Sequence, residues 1–174
     1  MKTLTIHPSD KTTDVLKPIY NAIDTDVYNG SDYTVLRKTI LQYERFIIMG
    51  HGTPYGLLNW RKDYVFGIQK EITDIFRKND TNIYIWCNAN RYVESNDLKG
   101  FATGMIISEP MEAEWFNIEY TPEMIEESNI LFANSIRDNL NDDIPKMVYG
   151  VRNQYSSETN PIIKFNMKNI HGYI

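Results

Sequence analysis

The sequence holds one cysteine, Cys87, and three histidines, His7, His51 and His171, among 174 residues. A single thiol excludes an internal disulfide and a zinc site built on several thiolates, and with three histidines beside it no Cys/His metal cluster is expected. Basic residues are short as well: 18 Lys and Arg stand against 23 Asp and Glu, a net charge of −5. An acidic chain without a basic block is a poor ligand for nucleic acid or an anionic membrane. Long apolar runs are missing. The two longest, Phe46-Ile47-Ile48-Met49 and Ile83-Tyr84-Ile85-Trp86-Cys87, are far too short to span a bilayer. Residues 1–10 carry no apolar run like that of a signal peptide, so the expectation is a soluble, cytoplasmic protein without metal or cofactor.

No internal repeat, low-complexity tract or Pro/Gly/Ser linker divides the chain, although residues 156–161 are loop-like in composition. A single domain over residues 1–174 is expected, large enough to bury roughly 70% of its unfolded surface. Residues 3–7 read as a short strand, followed by a loop over residues 7–11. Thr13 is placed as the cap of a helix carrying Val15, Leu16, Ile19 and Ile23 at helical spacing. Residues 33–43 read as a second helix, and Arg45-Phe46-Ile47-Ile48-Met49 as a strand covered on both faces. Residues 53–60 are hairpin-like. Ile68, Ile72, Ile75 and Phe76 predict a helix over residues 63–78, and residues 83–87 a second buried strand. Residues 105–107 read as a third strand, residues 122–140 as a long amphipathic helix opened by Pro122, and residues 161–165 as a last strand. Short buried strands alternating with helices predict an α/β fold with a mainly parallel sheet.

In an open parallel sheet, ligands sit beyond the carboxyl ends of the strands. Two of the scarce residues stand at such ends: His51 after residues 46–50, and Cys87 at the close of residues 83–87. The interval between them has the length of one crossover between neighbouring parallel strands. Neighbouring strand axes lie about 4.8 Å apart, close enough for an imidazole and a thiol at equal depth to meet. A thiolate is a good nucleophile, and a nearby His can take its proton and later protonate a departing amine. Gly52, lacking a Cβ, lets backbone approach a substrate, so its N–H and that of Cys87 are candidate oxyanion donors. The plainer alternative for Cys87 is an inert core residue. His7 is a second candidate base near the same rim, and His171 is expected to be solvent-exposed and idle.

The pattern of an apolar block, His-Gly, a spacer, a second apolar block and Cys resembles that of the caspase-like cysteine peptidases. The group includes caspases, metacaspases, legumain, clostripain, gingipains, separase and the bacterial CHAT domains. Here it reads Phe46-Ile47-Ile48-Met49-Gly50-His51-Gly52, then Ile83-Tyr84-Ile85-Trp86-Cys87-Asn88-Ala89. The resemblance implies a three-layer sandwich with a mostly parallel sheet of about six strands, and a dyad of His51 as general acid/base and Cys87 as nucleophile. It also implies a protein or peptide substrate, with Gly52 as an oxyanion donor. Two features depart from the pattern: the residue before the cysteine, commonly small, is Trp86, and the Gln-Ala-Cys-x-Gly signature of true caspases is absent. By strand alternation Trp86 should face away from Cys87 and pack under a helix.

The resemblance places the walls of the specificity pocket at Ser9-Asp10-Lys11 and Ser108-Glu109-Pro110. Acidic Asp10 and Glu109 there would favour a basic substrate side chain. The alternatives are a helix cap for Asp10 and a solvated loop charge for Glu109. A dinucleotide loop at Gly50-His51-Gly52 fails on context, because a hairpin and not a helix follows it. The remaining rival is a catalytically silent module of the same type that binds a protein partner, and an active enzyme could equally require a partner for activation.

Overall fold

Residues 45–49 are buried throughout, and such a run is stable only with helices on both sides of its sheet. The structure, a computed structural model, describes residues 1–67, 69–154 and 159–174. In chain order, β1 (Thr3–Ile6) leads through a 3-10 turn (Lys11–Leu16) into α1 (Lys17–Asn21), β2 (Asp26–Tyr28), α2 (Tyr33–Ile40) and β3 (Arg45–Met49). Three short strands follow, β4 (His51–Thr53), β5 (Gly56–Leu58) and β6 (Tyr64–Phe66), then α3 (Lys70–Phe76), β7 (Ile83–Ile85), α4 (Ala89–Ser95) and β8 (Gly100–Thr103). The chain closes with α5 (Pro110–Trp115), α6 (Pro122–Asp138), α7 (Ile144–Gln154), α8 (Pro161–Lys168) and β9 (Ile170–Tyr173).

The main sheet has six strands in the order β2-β1-β3-β7-β8-β9, and β4, β5 and β6 form a separate antiparallel sheet. Every pairing in the main sheet is parallel except β8 with β9. The protein is therefore an α/β protein with a mixed, mostly parallel sheet. Strand alternation splits the core in two. Ile47, Met49, Ile83 and Ile85 pack on Ile19 of α1, Phe132 and Ile136 of α6 and Met147 of α7. Phe46, Ile48, Tyr84 and Trp86 face Leu36 and Ile40 of α2, Ile72 and Phe76 of α3 and Tyr92 of α4. Full burial of each such side chain contributes about 1.5–3 kcal/mol. Two buried polar side chains tie strand ends to their neighbours. Asn82 accepts from the Phe46 N–H and donates to the Phe76 carbonyl, while Arg45 donates to the carbonyls of Thr81 and Leu140.

Four sequence expectations are corrected. Residues 63–78 are not one helix: Asn59 accepts from the N–H groups of Arg61 and Asp63, turning the chain so that β6 pairs with β5 before α3 begins. Ile68 lies outside the described residues, as do Ser156, Ser157 and Glu158 of the loop-like stretch. The third parallel strand is β8, and residues 105–107 form a loop whose Ile107 N–H and C=O are both bonded by the Asn166 side chain instead of by a strand. Residues 161–165 belong to α8, because Asn160 caps the Ile162 N–H and Pro161 suits the first helical turn; the last strand is β9. Finally, Asp10 and not Thr13 caps the 3-10 turn, accepting from the Thr12 N–H. The long helix stands where its pattern put it, as α6, capped by Thr121. Among the described residues no helix is long and apolar enough to cross a membrane.

Candidate active site

The order of the sheet fixes where a site can form. From β1 the chain moves outward to β2, then returns to lay β3 on the other side of β1. The loops after β1 and β3 therefore leave in opposite directions and open a crevice at the carboxyl edge. His51 stands on one side of it and the Asp10–Thr12 loop on the other. One strand further along, β7 pairs in parallel with β3, with Met49 beside Ile85 and the Gly50 N–H on the Ile85 carbonyl at 3.0 Å. His51 and Cys87 each follow that rung by two residues, so they leave adjacent strands at equal depth.

Local backbone chemistry holds both in place. Gly50 has φ +141°, which L side chains rarely adopt, and there the chain swings out of β3 into β4. Cys87 occupies the turn between β7 and α4. The Thr103 hydroxyl donates to the Trp86 carbonyl at 2.8 Å, the Asn88 N–H to the Gly104 carbonyl at 3.0 Å, and Asn88 takes the left-handed conformation that asparagine tolerates. The Trp86 indole points away from Cys87, against Tyr92 of α4, and donates to the Thr53 carbonyl at 3.0 Å. Gly52 is required by this indole: a β-carbon there would stand 2.0 Å from Trp86 Cδ1.

His51 is held by the loop after β1. Its Nε2 lies 2.7 Å from Thr12 Oγ1 and 3.7 Å from Asp10 Oδ2. The Thr12 hydroxyl donates to Asp10 Oδ1 at 2.9 Å, and the Thr12 N–H to the same oxygen at 3.0 Å. A hydroxyl has one proton, and a carboxylate can only accept. With that proton on Asp10, His51 must carry its own on Nε2 and donate to Thr12, leaving Nδ1 with the free lone pair. Burial pushes the Asp10 carboxyl up, but the two Thr12 hydrogen bonds, with His51 and Lys62 nearby, outweigh it and leave the pKa lowered. The anchor of the relay is thus ionised at neutral pH.

Cys87 lies in different surroundings. Its Sγ is 3.8 Å from the Ile106 carbonyl and 3.8 Å from Glu112 Oε1. Burial, then the Glu112 carboxylate, push the thiol up to about 12. Among the described residues no hydrogen bond joins His51 to Cys87, although both line one narrow cavity of about 50 Å³. By volume that admits a few waters or the tip of one slim side chain. Val15, Leu16, Ile106 and Phe132 give it apolar walls; Ser108, Glu112 and Asn129 supply polar atoms.

The two carboxylates expected in a specificity pocket, Asp10 and Glu109, stand apart from this cavity. Asp10 is committed to the cap and to His51, and neither it nor Glu109 is among the side chains lining the cavity. The carboxylate inside is Glu112. Pro110 starts α5 directly after Glu109, so Glu109 becomes the cap position and the third helical residue, Glu112, folds back onto the loop. Its Oε2 accepts from the Ser108 N–H, the Ser108 hydroxyl and the Glu109 N–H at 2.7, 3.1 and 3.1 Å. A Pro at the first helical position with Glu two residues later is a helix-start signature that pointed to this fold-back; for Thr12 no local signal existed. His7 cannot serve as a base as it stands: it is buried, with Nδ1 on the Tyr20 hydroxyl and Nε2 on the Thr13 hydroxyl, and burial lowers its pKa to about 4. His171 is half-buried in β9, stacked with Tyr173, and not solvent-exposed as expected. Among the described residues no group of three or more His, Cys, Asp or Glu side chains converges to hold a metal ion. No protein-family model and no curated protein sequence matches this chain.

Proposed function

We propose that the protein is a caspase-like cysteine endopeptidase in which His51 and Cys87 hydrolyse a peptide bond, with Cys87 as nucleophile. One observation carries this reading: the two residues leave neighbouring parallel strands at the same register, through β3 and β7, and line a common cavity. The Cys87 thiolate attacks the substrate carbonyl carbon, and the resulting oxyanion is received by the N–H groups of Gly52 and Cys87. The Cys87 N–H has no hydrogen-bond acceptor among the described residues. The tetrahedral species collapses as the C–N bond breaks and the His51 imidazolium protonates the leaving amine. Water, deprotonated by His51, then hydrolyses the thioester and frees the thiol.

The relay from His51 through Thr12 to Asp10 supports this assignment, since it directs the free lone pair to Nδ1 and sets a fixed negative charge behind the ring that becomes cationic during turnover. The acidic Glu112 in the cavity supports a preference for a basic side chain before the scissile bond. A positional peptide library incubated with wild type and Cys87→Ala tests the proposal: cleavage by the first and not by the second is expected. Cleavage by Cys87→Ala would refute it.

A second reading is favoured by one feature. The thiol is held neutral and makes no hydrogen bond to His51, as suits a silent module of the same fold that binds a protein partner. Wild type indistinguishable from Cys87→Ala across the whole library selects that reading.

A further inference from the structure

Glu112 is a buried carboxylate, 8% exposed, whose two oxygens live differently. Oε2 satisfies the start of α5 with three hydrogen bonds. Oε1 has a single donor among the described residues, the Cys87 thiol at 3.8 Å. Among the described residues it forms no ion pair with Lys or Arg, and no Lys or Arg side chain lines the cavity. Carboxylates are seldom buried without a cationic partner. The cap needs one oxygen only, so helix initiation does not account for Oε1.

The walls around this oxygen are built for an aliphatic stem. Val15, Leu16, Ile106 and Phe132 line the approach, and Asn129, whose amide donates to the Ser108 carbonyl at 3.0 Å, stands beside them. Val15 and Asn129 also border an adjoining groove with Pro110, Ile125, Glu126 and Ile130. The Glu126 carboxylate adds a second negative charge on the way in. Apolar walls that end on an unpaired carboxylate fit a side chain with a methylene stem and a cationic head.

We propose that Glu112 couples recognition to reactivity: a guanidinium or ammonium head that pairs with Glu112 Oε1 releases the Cys87 thiol to ionise, so that a basic substrate side chain switches on the nucleophile it is presented to. This deepens the peptidase reading and rests on it for its biological sense. The physical argument is reciprocal. A carboxylate 3.8 Å from the sulfur opposes formation of a second negative charge there, and in a low-dielectric cavity that opposition is strong. A cation on Oε1 cancels it and withdraws one of the thiol's two acceptors, leaving the Ile106 carbonyl. The proton leaves to His51 Nδ1 or to water.

The coupling is read without any peptidase activity, because Cys87 is the only thiol in the chain. Iodoacetamide reacts with the thiolate, forming a C–S bond as iodide leaves and the thiol proton passes to solvent, and incorporation of one carbamidomethyl group per chain is followed by mass. Methylguanidinium chloride is the probe, with tetramethylammonium chloride at equal ionic strength as the control. Methylguanidinium is expected to accelerate alkylation of the native wild type about tenfold and saturably, and tetramethylammonium, which has no N–H to donate, to leave it unchanged. Glu112→Gln, which keeps an oxygen for the cap, is expected to be alkylated about tenfold faster than wild type without any probe and to respond no further. An unchanged or slowed wild-type rate in methylguanidinium overturns the proposal. So does a Glu112→Gln variant that unfolds at the wild-type temperature yet responds as wild type does. Should Glu112→Gln fail to fold, the wild-type arm decides alone. If the rate rises and saturates but no library peptide is cleaved, the coupling stands and the peptidase reading falls.

Discussion

Gly52 and Trp86 occupy each other's space. The indole fills the volume that any side chain at position 52 would need, since a β-carbon would approach Trp86 Cδ1 to 2.0 Å. The indole is fixed by its hydrogen bond to the Thr53 carbonyl and by edge contacts with Phe66, Tyr84 and Tyr92. A bulky residue directly before the cysteine is therefore accommodated by the glycine after the histidine, in β4 of the small antiparallel sheet.

Gly52→Ala should be destabilising by about 1–3 kcal/mol, the range for overpacking a filled core. For a chain of this size that lowers the thermal midpoint by several degrees, about 2–4 °C per kcal/mol. In a Trp86→Leu background, itself less stable for the lost core contacts, Gly52→Ala should cost far less, which a double-mutant cycle on unfolding midpoints will read as a coupling. Additive effects would mean that the two residues do not share this space.

The relay behind His51 gives a second expectation. On the proposed peptidase reading, Asp10→Asn, which removes the charge, and Thr12→Val, which removes the hydroxyl that orders the imidazole, should each lower kcat about ten- to a hundredfold with little change in KM. Thr12→Ser, which restores the hydroxyl, should recover activity.

His7 makes stability pH-dependent. Its folded pKa of about 4 lies below the unfolded value near 6.5, so burial favours the neutral ring. Between these values the unfolded chain binds more protons than the folded one, and stability rises with pH. The contribution is fully present above pH 6.5 and is lost as the pH falls toward 4, a change on the order of 3 kcal/mol. Urea midpoints measured across that window should fall steeply in wild type. His7→Gln, which cannot take the proton, should flatten the dependence; an equally steep fall would assign it to other groups.

Asn166 is the support of the cavity's far wall. It bonds both polar groups of Ile107 at 2.8 and 2.9 Å, and Ile107 follows Ile106, whose carbonyl faces the thiol. Asn166→Ala leaves a buried N–H and C=O unsatisfied and should cost about 2–4 kcal/mol. On the proposed peptidase reading it should also raise KM more than it lowers kcat, since the wall moves while His51 and Cys87 do not. Kinetics and unfolding on one preparation test both.

Much of this architecture was legible in residue order. Unbroken apolar runs bounded by Gly, Asn and Asp admit few structures other than the strands at 45–49 and 83–85. The amphipathic repeat under α6 was as plain. The failures cluster where long-range partners override local pattern. Pro161-Ile162-Ile163 reads apolar and extended, yet a cap from Asn160 and the core behind it make a helix. Residues 105–107 read as strand until Asn166, distant in sequence, takes their hydrogen bonds. The strand β9 was hidden by its His and Gly, which pair only because β8 offers an open edge.

For the candidate site, composition and the two apolar runs single out Cys87 and His51, since the chain has one thiol, and the ends of the runs put it and His51 beyond strands one crossover apart. What surrounds them follows from packing. The reversal of strand order between β1 and β3 brings Thr12 and Asp10 onto His51, and the fold-back of α5 brings Glu112 onto the thiol. The helix-start pattern at Pro110 signals that Glu112 folds back but not that it meets the thiol, and nothing local signals Thr12, because contacts between elements 39 and 25 positions apart in the chain are set by how the apolar clusters behind them pack.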